Sequence, residues 1–396
     1  MAKNFNVKHA LYPDDLLKAP PEKKLDFFMK SIVEHDEFVD ARKQMEARIE
    51  DALPGTLILL VGPAGIGKSA LGGHITTKIN TDFFLANPDD KHTIPAAMIE
   101  AWAPETDRFD WHDLYEMLLT ALQAPLIDAS LPEVRRKLAG IEVWQPLITS
   151  YSRPSLRTIR QRLRRAVQMR SPDLIFIDEA SNILISPHPQ RVKRQGNTLR
   201  SIVNKSNARL AISGAYDLYA LATKSGQLSR RAEVLHFKPY LRSEKHKFAK
   251  ALFSLQQAMP VEGRCDLSKY ADQLFDQSLG SVGHLKRILA KALSNMYRNN
   301  RTEMDLELLS YGFYKAAQLQ TLRCEMFDGY WTVEGRLHPD DGRKLAELPS
   351  VMFDIATDRL SEGPSEEPTA TAQRRGRKDH VGKPLPDRKP LEKKRD

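Results

Sequence analysis

The stretch Gly62–Ser69, GPAGIGKS, decides how the rest of the chain is interpreted, because it fits the pattern G-x-x-x-x-G-K-[ST]. The apolar run Thr56–Val61 precedes it and is rich in strand formers, and a helix can begin at Ala70-Leu71. Strand, glycine loop and helix in this order are the context in which the pattern binds a phosphate chain. The alternative is a chance glycine turn, and a second element further along the chain argues against it.

The residue types in this stretch suit a triphosphate. Its glycines let the backbone turn and bring N–H groups toward phosphate oxygens, and the following helix adds partial positive charge. Lys68 is expected to reach the β- and γ-phosphates, and the hydroxyl of Ser69 to bind Mg²⁺. The expected ATP-binding residues are Gly62, Pro63, Ala64, Gly65, Ile66, Gly67, Lys68, Ser69 and Ala70.

The second element is Leu174–Glu179, LIFIDE, four apolar residues followed by two carboxylates. Such a run suits a parallel strand that is buried on both faces. Its carboxylates then lie at the carboxyl edge of the sheet, where α/β proteins bind ligands. Asp178 is expected to bind Mg²⁺ and Glu179 to orient and polarise the attacking water. A solvated acidic turn is the alternative, and together the two elements favour a nucleoside triphosphatase.

Composition limits the class of protein. With 396 residues, of which 41% are hydrophobic, the chain can form two to three domains with cores of their own. Cys265 and Cys324 have no metal-ligand spacing and suggest a reducing compartment. No apolar run reaches the length of a bilayer span, and the N-terminus lacks the apolar region of a signal peptide. We expect a cytoplasmic protein that does not contact a membrane.

Positive charge is concentrated at the C-terminus. Residues 374–396 contain ten Lys or Arg and four Asp or Glu, so they supply +6 of the formal net charge of +9. From Ser361 onward there is almost nothing apolar to bury, which predicts disorder. A polyanion or an acidic protein surface is the expected kind of partner.

Apolar periodicity predicts an α/β core followed by a helical region. Strands are expected at 56–61, 93–101, 174–178, 209–214 and 234–237, and the helices of the second region at 243–258, 266–279, 283–298 and 304–320. The expected division is an N-terminal arm (1–36), an α/β core (37–242), a helical lid (243–322), a small appendage (323–360) and a disordered basic tail (361–396).

An arginine-rich amphipathic helix is predicted between Pro154 and Arg170. Leu156, Ile159, Leu163 and Val167 form its apolar stripe, and no carboxylate balances its arginines. Such a face is solvated, contacts an acidic neighbouring subunit or contacts DNA phosphates. The segment Ser186–Asn197 is expected to be a loop that adds further basic residues. The candidate DNA-binding residues are Arg157, Arg160, Arg164, Arg165, Arg191 and Lys193.

Taken in order, the glycine loop, the D-E strand end, the polar-ended strand 209–214, an arginine pair before the last strand and a helical lid resemble the AAA+ ATPases over residues 37–320. The resemblance implies a P-loop AAA+ parallel-sheet core. It implies that Ser213 senses the γ-phosphate or positions water. It also implies that Arg230 or Arg231 is an arginine finger acting on a neighbouring subunit's nucleotide. His284 stands in GSVGHLKR, where many AAA+ proteins have a second sensor arginine, and Lys286 or Arg287 are the other candidates.

Within AAA+, the chain is most similar to the TnsC/TniB group of transposition regulators, whose role is like that of MuB. The features that carry this resemblance are IVEHDEFVDARKQME, SGAYDLY, GSVGHLKRILAKAL and the tail VGKPLPDRKPLEKKRD. It implies an ATP-dependent ring or filament on target duplex DNA. Its tail would contact the transposase, and a further partner would be a target-selecting protein.

Two other functions remain open on the sequence alone. A replication-initiator or clamp-loader-like ATPase would carry a separate DNA-reading winged domain. Residues 321–396 are too polar to form such a domain. A signalling ATPase without nucleic acid would carry a sensing repeat array, and the sequence shows no internal repeat.

Overall fold

The computed structural model describes residues 12–53, 55–123, 154–184, 189–204, 206–224, 229–263 and 265–334. All of these residues belong to one compact unit. The predicted basic tail and most of the predicted appendage lie outside the described residues, as do residues 124–153 of the predicted α/β core.

The described helices and strands alternate through the first part of the chain, and helices alone follow. The strands are β1 Leu57–Val61, β2 Ala96–Glu100, β3 Leu174–Asp178, β4 Arg209–Gly214 and β5 Ala232–His236. The helices are α1 Pro21–Lys30, α2 Asp36–Asp51, α3 Lys68–Ala86, α4 Trp111–Ala121, α5 Leu156–Arg170, α6 Pro189–Val203, α7 Ala220–Thr223, α8 Lys245–Ala258, α9 Ala271–Ser278, α10 Val282–Arg298, α11 Leu306–Gly312 and α12 Ala316–Glu334.

The five strands form one sheet in the order β2-β3-β4-β1-β5, and every neighbouring pair is parallel. Strand β4 therefore lies between β1, which precedes the glycine loop, and β3, which ends in Asp178. Because parallel strands present their carboxyl ends at one edge, the ends of β1, β3 and β4 meet there. This order brings three segments that are far apart in sequence to one site.

Alternate residues of each strand pack into different cores. On one face, Leu57, Leu59 and Val61 join the residues that α4, α5, α6 and α7 bury. On the other, Ile58 and Leu60 join the buried residues of α2 and α3. Burial on both faces explains why these strands are continuous apolar runs. The core is therefore a sheet between two helical layers, as the sequence predicts for an α/β fold.

A third core lies within the helices that follow the sheet. Phe248, Phe275, Leu285 and Leu289 are fully buried there, among residues of α8 to α11. Phe28 of α1 is buried in the same core, so part of the expected N-terminal arm packs into the lid.

The prediction of a loop over Ser186–Asn197 is wrong for its described part, because α6 begins at Pro189 and continues to Val203. Proline is well tolerated at the first position of a helix, where its missing N–H is not needed. Val192, Leu199 and Val203 are buried at helical spacing, and this burial stabilises the helix despite Gly196.

The prediction of one lid helix over 304–320 is also wrong, because the helix is interrupted between Gly312 and Ala316, so that α11 and α12 are separate helices. Helix α12 then runs without interruption from Ala316 to Glu334, so the expected boundary between residues 322 and 323 lies inside it. Its Gly329 packs so closely on Tyr216 that a Cβ there would lie 1.9 Å from the tyrosine ring. Glu334 contacts Nδ1 of His236 at 2.5 Å. Helix α12 thus joins the lid region to the carboxyl edge of the sheet.

None of the helices in the described ranges combines the length and apolar character that a bilayer span requires.

A buried histidine connects the start of α2 to the segment that joins the sheet to the lid. His35 is the N-cap of α2, and its Nδ1 accepts the N–H of Phe38 at 3.3 Å. The same nitrogen lies 2.9 Å from the hydroxyl of Tyr240. Burial lowers the pKa of His35 from 6.5 to about 4. Neutral imidazole is therefore part of the folded structure at pH 7.

Acid should destabilise the protein through His35. Its pKa is lower in the folded than in the unfolded state, so its contribution is complete above pH 6.5 and is lost as the pH falls toward 4. The difference corresponds to about 3 kcal/mol at most. His35→Asn retains an N-cap acceptor that does not titrate. Urea denaturation between pH 7 and 4 should show a weaker pH dependence for this variant. A dependence equal to the parent's would contradict the assignment, and His246→Asn, at an exposed position, is the control.

Candidate functional site

The glycine loop forms a cradle whose shape depends on close backbone contacts. Gly65 and Gly67 have φ values of +71° and +114°, in the left-handed region that glycine adopts readily. A Cβ on Gly62 would lie 2.3 Å from the carbonyl oxygen of Phe237, which follows β5. A larger residue at any of these three positions would change the path of the loop.

Helix α3 begins directly after this loop. Its N-cap is Gly67, and no side chain caps its first turn. The first N–H groups of a helix have no partner within the helix, so this terminus offers donors and partial positive charge to an anion. Ala64 and Ser69 are exposed at the loop, whereas Pro63 and Ile66 are buried beneath it. The loop and helix start therefore fit a phosphate chain.

Lys68 points its ammonium group back across the loop. Its Nζ donates to the carbonyl oxygens of Gly62 at 3.1 Å and Pro63 at 2.9 Å, and the side chain is buried. Burial lowers the pKa of Lys68, and the carboxylates of Glu179 and Asp178 oppose this shift. The predicted phosphate-binding lysine and the two predicted acidic residues therefore share one site.

Asp178 and Ser213 are in direct contact. Both are buried, and the Ser213 hydroxyl donates a hydrogen bond to Oδ1 of Asp178. The N–H of Glu179 donates to the same oxygen at 3.0 Å. Carboxylate and hydroxyl oxygens are ligands that suit Mg²⁺. Asp178, at the end of β3, and Ser69, exposed at the start of α3, are the predicted Mg²⁺ ligands, and Ser213 lies beside Asp178.

Glu179 is exposed and has an unusual backbone. Its φ is +49°, a left-handed conformation that is uncommon for a residue with a side chain. The N–H of Asn182 donates to its carbonyl oxygen at 3.0 Å, and the Asn182 amide donates to Ala101 at 2.8 Å. Such strain persists where the surrounding contacts determine the conformation, as they do at many active sites.

The lid approaches the loop through the start of α10. A Cβ on Gly283 would lie 1.5 Å from the carbonyl oxygen of Gly65, and one on Gly65 would lie 2.8 Å from the His284 ring. His284 is buried, and burial lowers its pKa. Of the three lid residues that are candidates for a second sensor, His284 is therefore placed against the glycine loop.

The neighbouring lid cations have other contacts. Nζ of Lys286 donates to the carbonyl oxygens of Met29 at 2.7 Å and Ser31 at 2.6 Å. The Arg287 guanidinium lies 4.4 Å from the centre of the Tyr314 ring.

Arg230 and Arg231 are both exposed at the opposite end of the sheet. The carbonyl oxygen of Arg231 accepts the N–H of Leu57 at 2.8 Å, at the first residue of β1, whereas the glycine loop follows the last. A five-residue strand separates these ends by about 13 Å. Neither arginine is brought to this chain's own glycine loop.

Three arginines of α5 line an open groove of about 440 Å³, together with Leu156 and Gln161: Arg157, Arg160 and Arg164. Arg157 and Arg164 are exposed, and Arg160 donates to Ser201 of α6 at 2.8 Å. Burial raises the pKa of nearby Tyr115, and the charges of Arg160 and Arg164 oppose this shift. Arg165 is exposed but does not line the groove.

Arg191 and Lys193 are exposed in the first turns of α6, whereas Ser201 lies near its end. Ten residues of helix correspond to about 15 Å. The six candidate DNA-binding residues therefore do not form one continuous groove.

Several residues near the site were not identified from sequence. Ser181 and Asp217 connect the loops that follow β3 and β4. The Phe237 ring lies against Gly67, at 3.7 Å from an added Cβ. The carboxylate of Glu325 in α12 opposes the lowering of the Lys68 pKa by burial. These contacts join segments that are distant in the chain, so no local sequence pattern indicates them.

Comparisons with known proteins agree with this architecture. Residues 53–221 match the family model of an AAA domain. The ORC1 protein of Aeropyrum pernix, solved in complex with DNA, is similar in structure, with a TM-score of 0.51 and 14% identity over 76% of this chain and 70% of that one. The ORC2 protein of the same organism, solved as ADPNP-ADP complexes, gives 0.47 and 12% over 85% and 88%. A search of curated proteins finds no match. The chain has the AAA+ P-loop fold.

The contact between lid and loop can be tested with two glycines. Gly283→Ala would force the lid away from Gly65, and we expect it to destabilise the protein by about 1–3 kcal/mol and weaken ATP binding. Gly73→Ala is the control, because nothing lies within 4 Å of its added Cβ and alanine favours helix by about 1 kcal/mol. Urea denaturation and titration with a fluorescent ATP analogue measure both effects. Equal behaviour of the two variants would contradict the close contact.

Proposed function

We propose that this protein is an ATP-dependent, DNA-binding AAA+ ATPase that assembles on duplex DNA and regulates transposition. The observation that carries the ATPase part is the meeting of Lys68, Asp178, Glu179 and Ser213 at the carboxyl edge of the sheet, beside the glycine loop. These residues come from three segments of the chain, and a chance glycine turn gives no reason for them to meet.

Each residue has a role that its environment supports. Lys68 and the N–H groups at the start of α3 bind the β- and γ-phosphates. Ser69 and Asp178 would hold Mg²⁺, and the bound ion would neutralise negative charge on the phosphates. Glu179 orients the attacking water and accepts its proton, since it is exposed beside Asp178. Ser213, which contacts Asp178, responds to the γ-phosphate. His284 connects this site to the lid.

A second copy of the chain supplies the remaining charge. Because Arg230 and Arg231 lie at the opposite end of the sheet from the glycine loop, one of them serves as an arginine finger for the neighbouring copy's ATP. ATP then holds the copies together in a ring or filament, and hydrolysis releases them.

The groove on α5 is the proposed contact with DNA. Its cationic lining and lack of carboxylates suit phosphate oxygens, which carry no sequence information. Arg157 and Arg164 are the main contacts, since Arg160 also bonds to Ser201. Arg165, Arg191 and Lys193 provide further positive charge outside the groove.

The role in transposition rests on the TnsC/TniB resemblance of the sequence. In this role the assembly joins a target-selecting protein to the transposase, which binds the basic C-terminal tail. The alternative is a replication-initiator-like ATPase, and the fold shared with an ORC1 protein solved in complex with DNA keeps it open. Both alternatives use the same ATP site and differ in the partner.

Electron microscopy of the full chain with duplex DNA, with and without a non-hydrolysable ATP analogue, tests the proposal. A continuous ring stack or filament that needs the analogue supports it, and single particles at isolated positions favour the initiator.

Deletion from Ser361 should leave the assembly intact but abolish transposase stimulation. Full transposase binding by the truncated chain would contradict the role of the tail.

Glu179→Gln should retain nucleotide binding but slow hydrolysis by at least about 100-fold, because the amide cannot accept the proton of the water. Assemblies on DNA should then persist. Lys68→Ala is the comparison, since it should lose nucleotide binding itself. Phosphate release and fluorescent-ATP titration distinguish the two. Parental hydrolysis by Glu179→Gln would show that the assignment is wrong.

Replacing Arg157 and Arg164 with alanine should weaken DNA binding at all sequences. It should also reduce the slope of log K against log salt by about one for each phosphate that is no longer neutralised. Arg162→Ala on the same helix is the matched control, because Arg162 does not line the groove. Filter binding at salt concentrations from about 50 to about 200 mM measures this slope. Unchanged affinity together with impaired self-assembly would instead assign the groove to a neighbouring subunit.

A further inference from the structure

A serine two residues after the predicted catalytic carboxylate joins two loops of the site. Ser181 lies in the short 3₁₀ turn Ala180–Ile183 that follows β3. Its hydroxyl donates to Oδ1 of Asp217 at 2.6 Å and accepts the N–H of Ala215 at 2.8 Å. Both partners lie after β4, so the serine connects the turn after β3 to the segment after β4.

Each connected segment is close to a residue assigned to hydrolysis. Glu179 lies two residues before Ser181, and Ser213, near the end of β4, lies two residues before Ala215. The ends of β3 and β4 already meet once, where Ser213 donates to Asp178. The serine adds a second connection on the other side of Glu179. With one connection the turn after β3 could still rotate, and the second connection restricts that rotation.

Gly214 keeps this second connection short. A Cβ at Gly214 would lie 2.5 Å from Oγ of Ser181 and 3.0 Å from its backbone nitrogen. Any side chain at this position would therefore push the two loops apart. The absence of a side chain is a requirement of the contact rather than of the backbone conformation.

The left-handed conformation of Glu179 makes such bracing necessary. A non-glycine residue there costs on the order of 1 kcal/mol or more, so an unbraced loop would relax and turn the carboxylate away. On the N-terminal side the Glu179 N–H is held by Asp178. On the C-terminal side the turn is held by Ser181 and by the bond from Asn182 to Ala101.

We propose that Ser181 and Asp217 are positioning residues for ATP hydrolysis, which hold Glu179 in register with Ser213 through their hydrogen bond. The inference rests on the proposed ATPase function. Neither residue needs to touch the nucleotide. Their effect is on the rate of the chemical step, because misplacement of the water-orienting group by about 1 Å can cost about 100-fold in rate.

Steady-state ATP hydrolysis by the full chain on duplex DNA tests this, with four variants. Ser181→Ala and Asp217→Ala should each lower kcat about 10- to 100-fold while KM and the affinity for a fluorescent ATP analogue change less than about two-fold. The double variant should be no slower than the slower single variant, since Ser181→Ala already removes the hydrogen bond that Asp217→Ala removes. Asp217→Asn keeps an Oδ1 acceptor and should remain within about three-fold of the parent.

Asp217→Asn also separates the hydrogen bond from charge. The Asp217 carboxylate acts electrostatically on Lys68, so a purely electrostatic role would make the asparagine variant as slow as the alanine variant and would overturn the inference. Parallel loss of kcat, nucleotide affinity and thermal stability in Ser181→Ala would show a merely structural role and would overturn it too.

Glu179→Gln distinguishes the failure of this inference from failure of the function. Parental kcat in Ser181→Ala together with slow hydrolysis in Glu179→Gln rejects the positioning role but leaves the ATPase intact. Parental rates in both variants reject the proposed ATPase mechanism itself.

Discussion

The site depends on the insertion of β4 between β1 and β3 in a sheet whose described strands are all parallel. This order places Ser213 between the glycine loop and Asp178, and the hydrogen bond between Ser213 and Asp178 follows from it. Without the intervening strand, the lysine and the acidic pair would have no buried hydroxyl beside them. The apolar residues on both faces of these strands pack into two cores and fix the positions of the three carboxyl ends relative to one another. This packing therefore determines where each polar group lies.

Close contacts at glycines position the elements around this edge. Gly283 meets the carbonyl oxygen of Gly65, Gly62 meets Phe237, and Gly329 meets Tyr216. Each joins the glycine loop or the carboxyl edge to an element of the lid region or to the segment leading toward it. Movement of the glycine loop would therefore shift the start of α10, because close-packed atoms leave little free volume between them. The segment after β4 is in the same way in contact with α12.

The parts predicted from sequence were those that local pattern determines. The glycine loop, the apolar strand before Asp178 and the arginine-rich helix between Pro154 and Arg170 all depend on neighbours in the chain. The prediction of a loop over 186–197 was wrong because burial of Val192 and Leu199 at helical spacing outweighs the helix-disfavouring effect of the prolines and the glycine. Long-range contacts such as Ser181 with Asp217, or α12 with Tyr216, join positions whose proximity only the fold creates. No spacing in the sequence could reveal them.

Placing Arg231 at the amino edge of the sheet and the glycine loop at the carboxyl edge gives any assembly built through these two surfaces a direction. Such a contact is heterologous, and it closes into a ring or continues as a helix according to the rotation between copies. An open helix then has two unlike ends, one with an arginine that reaches no nucleotide and one with a nucleotide that no arginine reaches. Turnover at that second end would be slow, because no neighbouring copy supplies the arginine charge there.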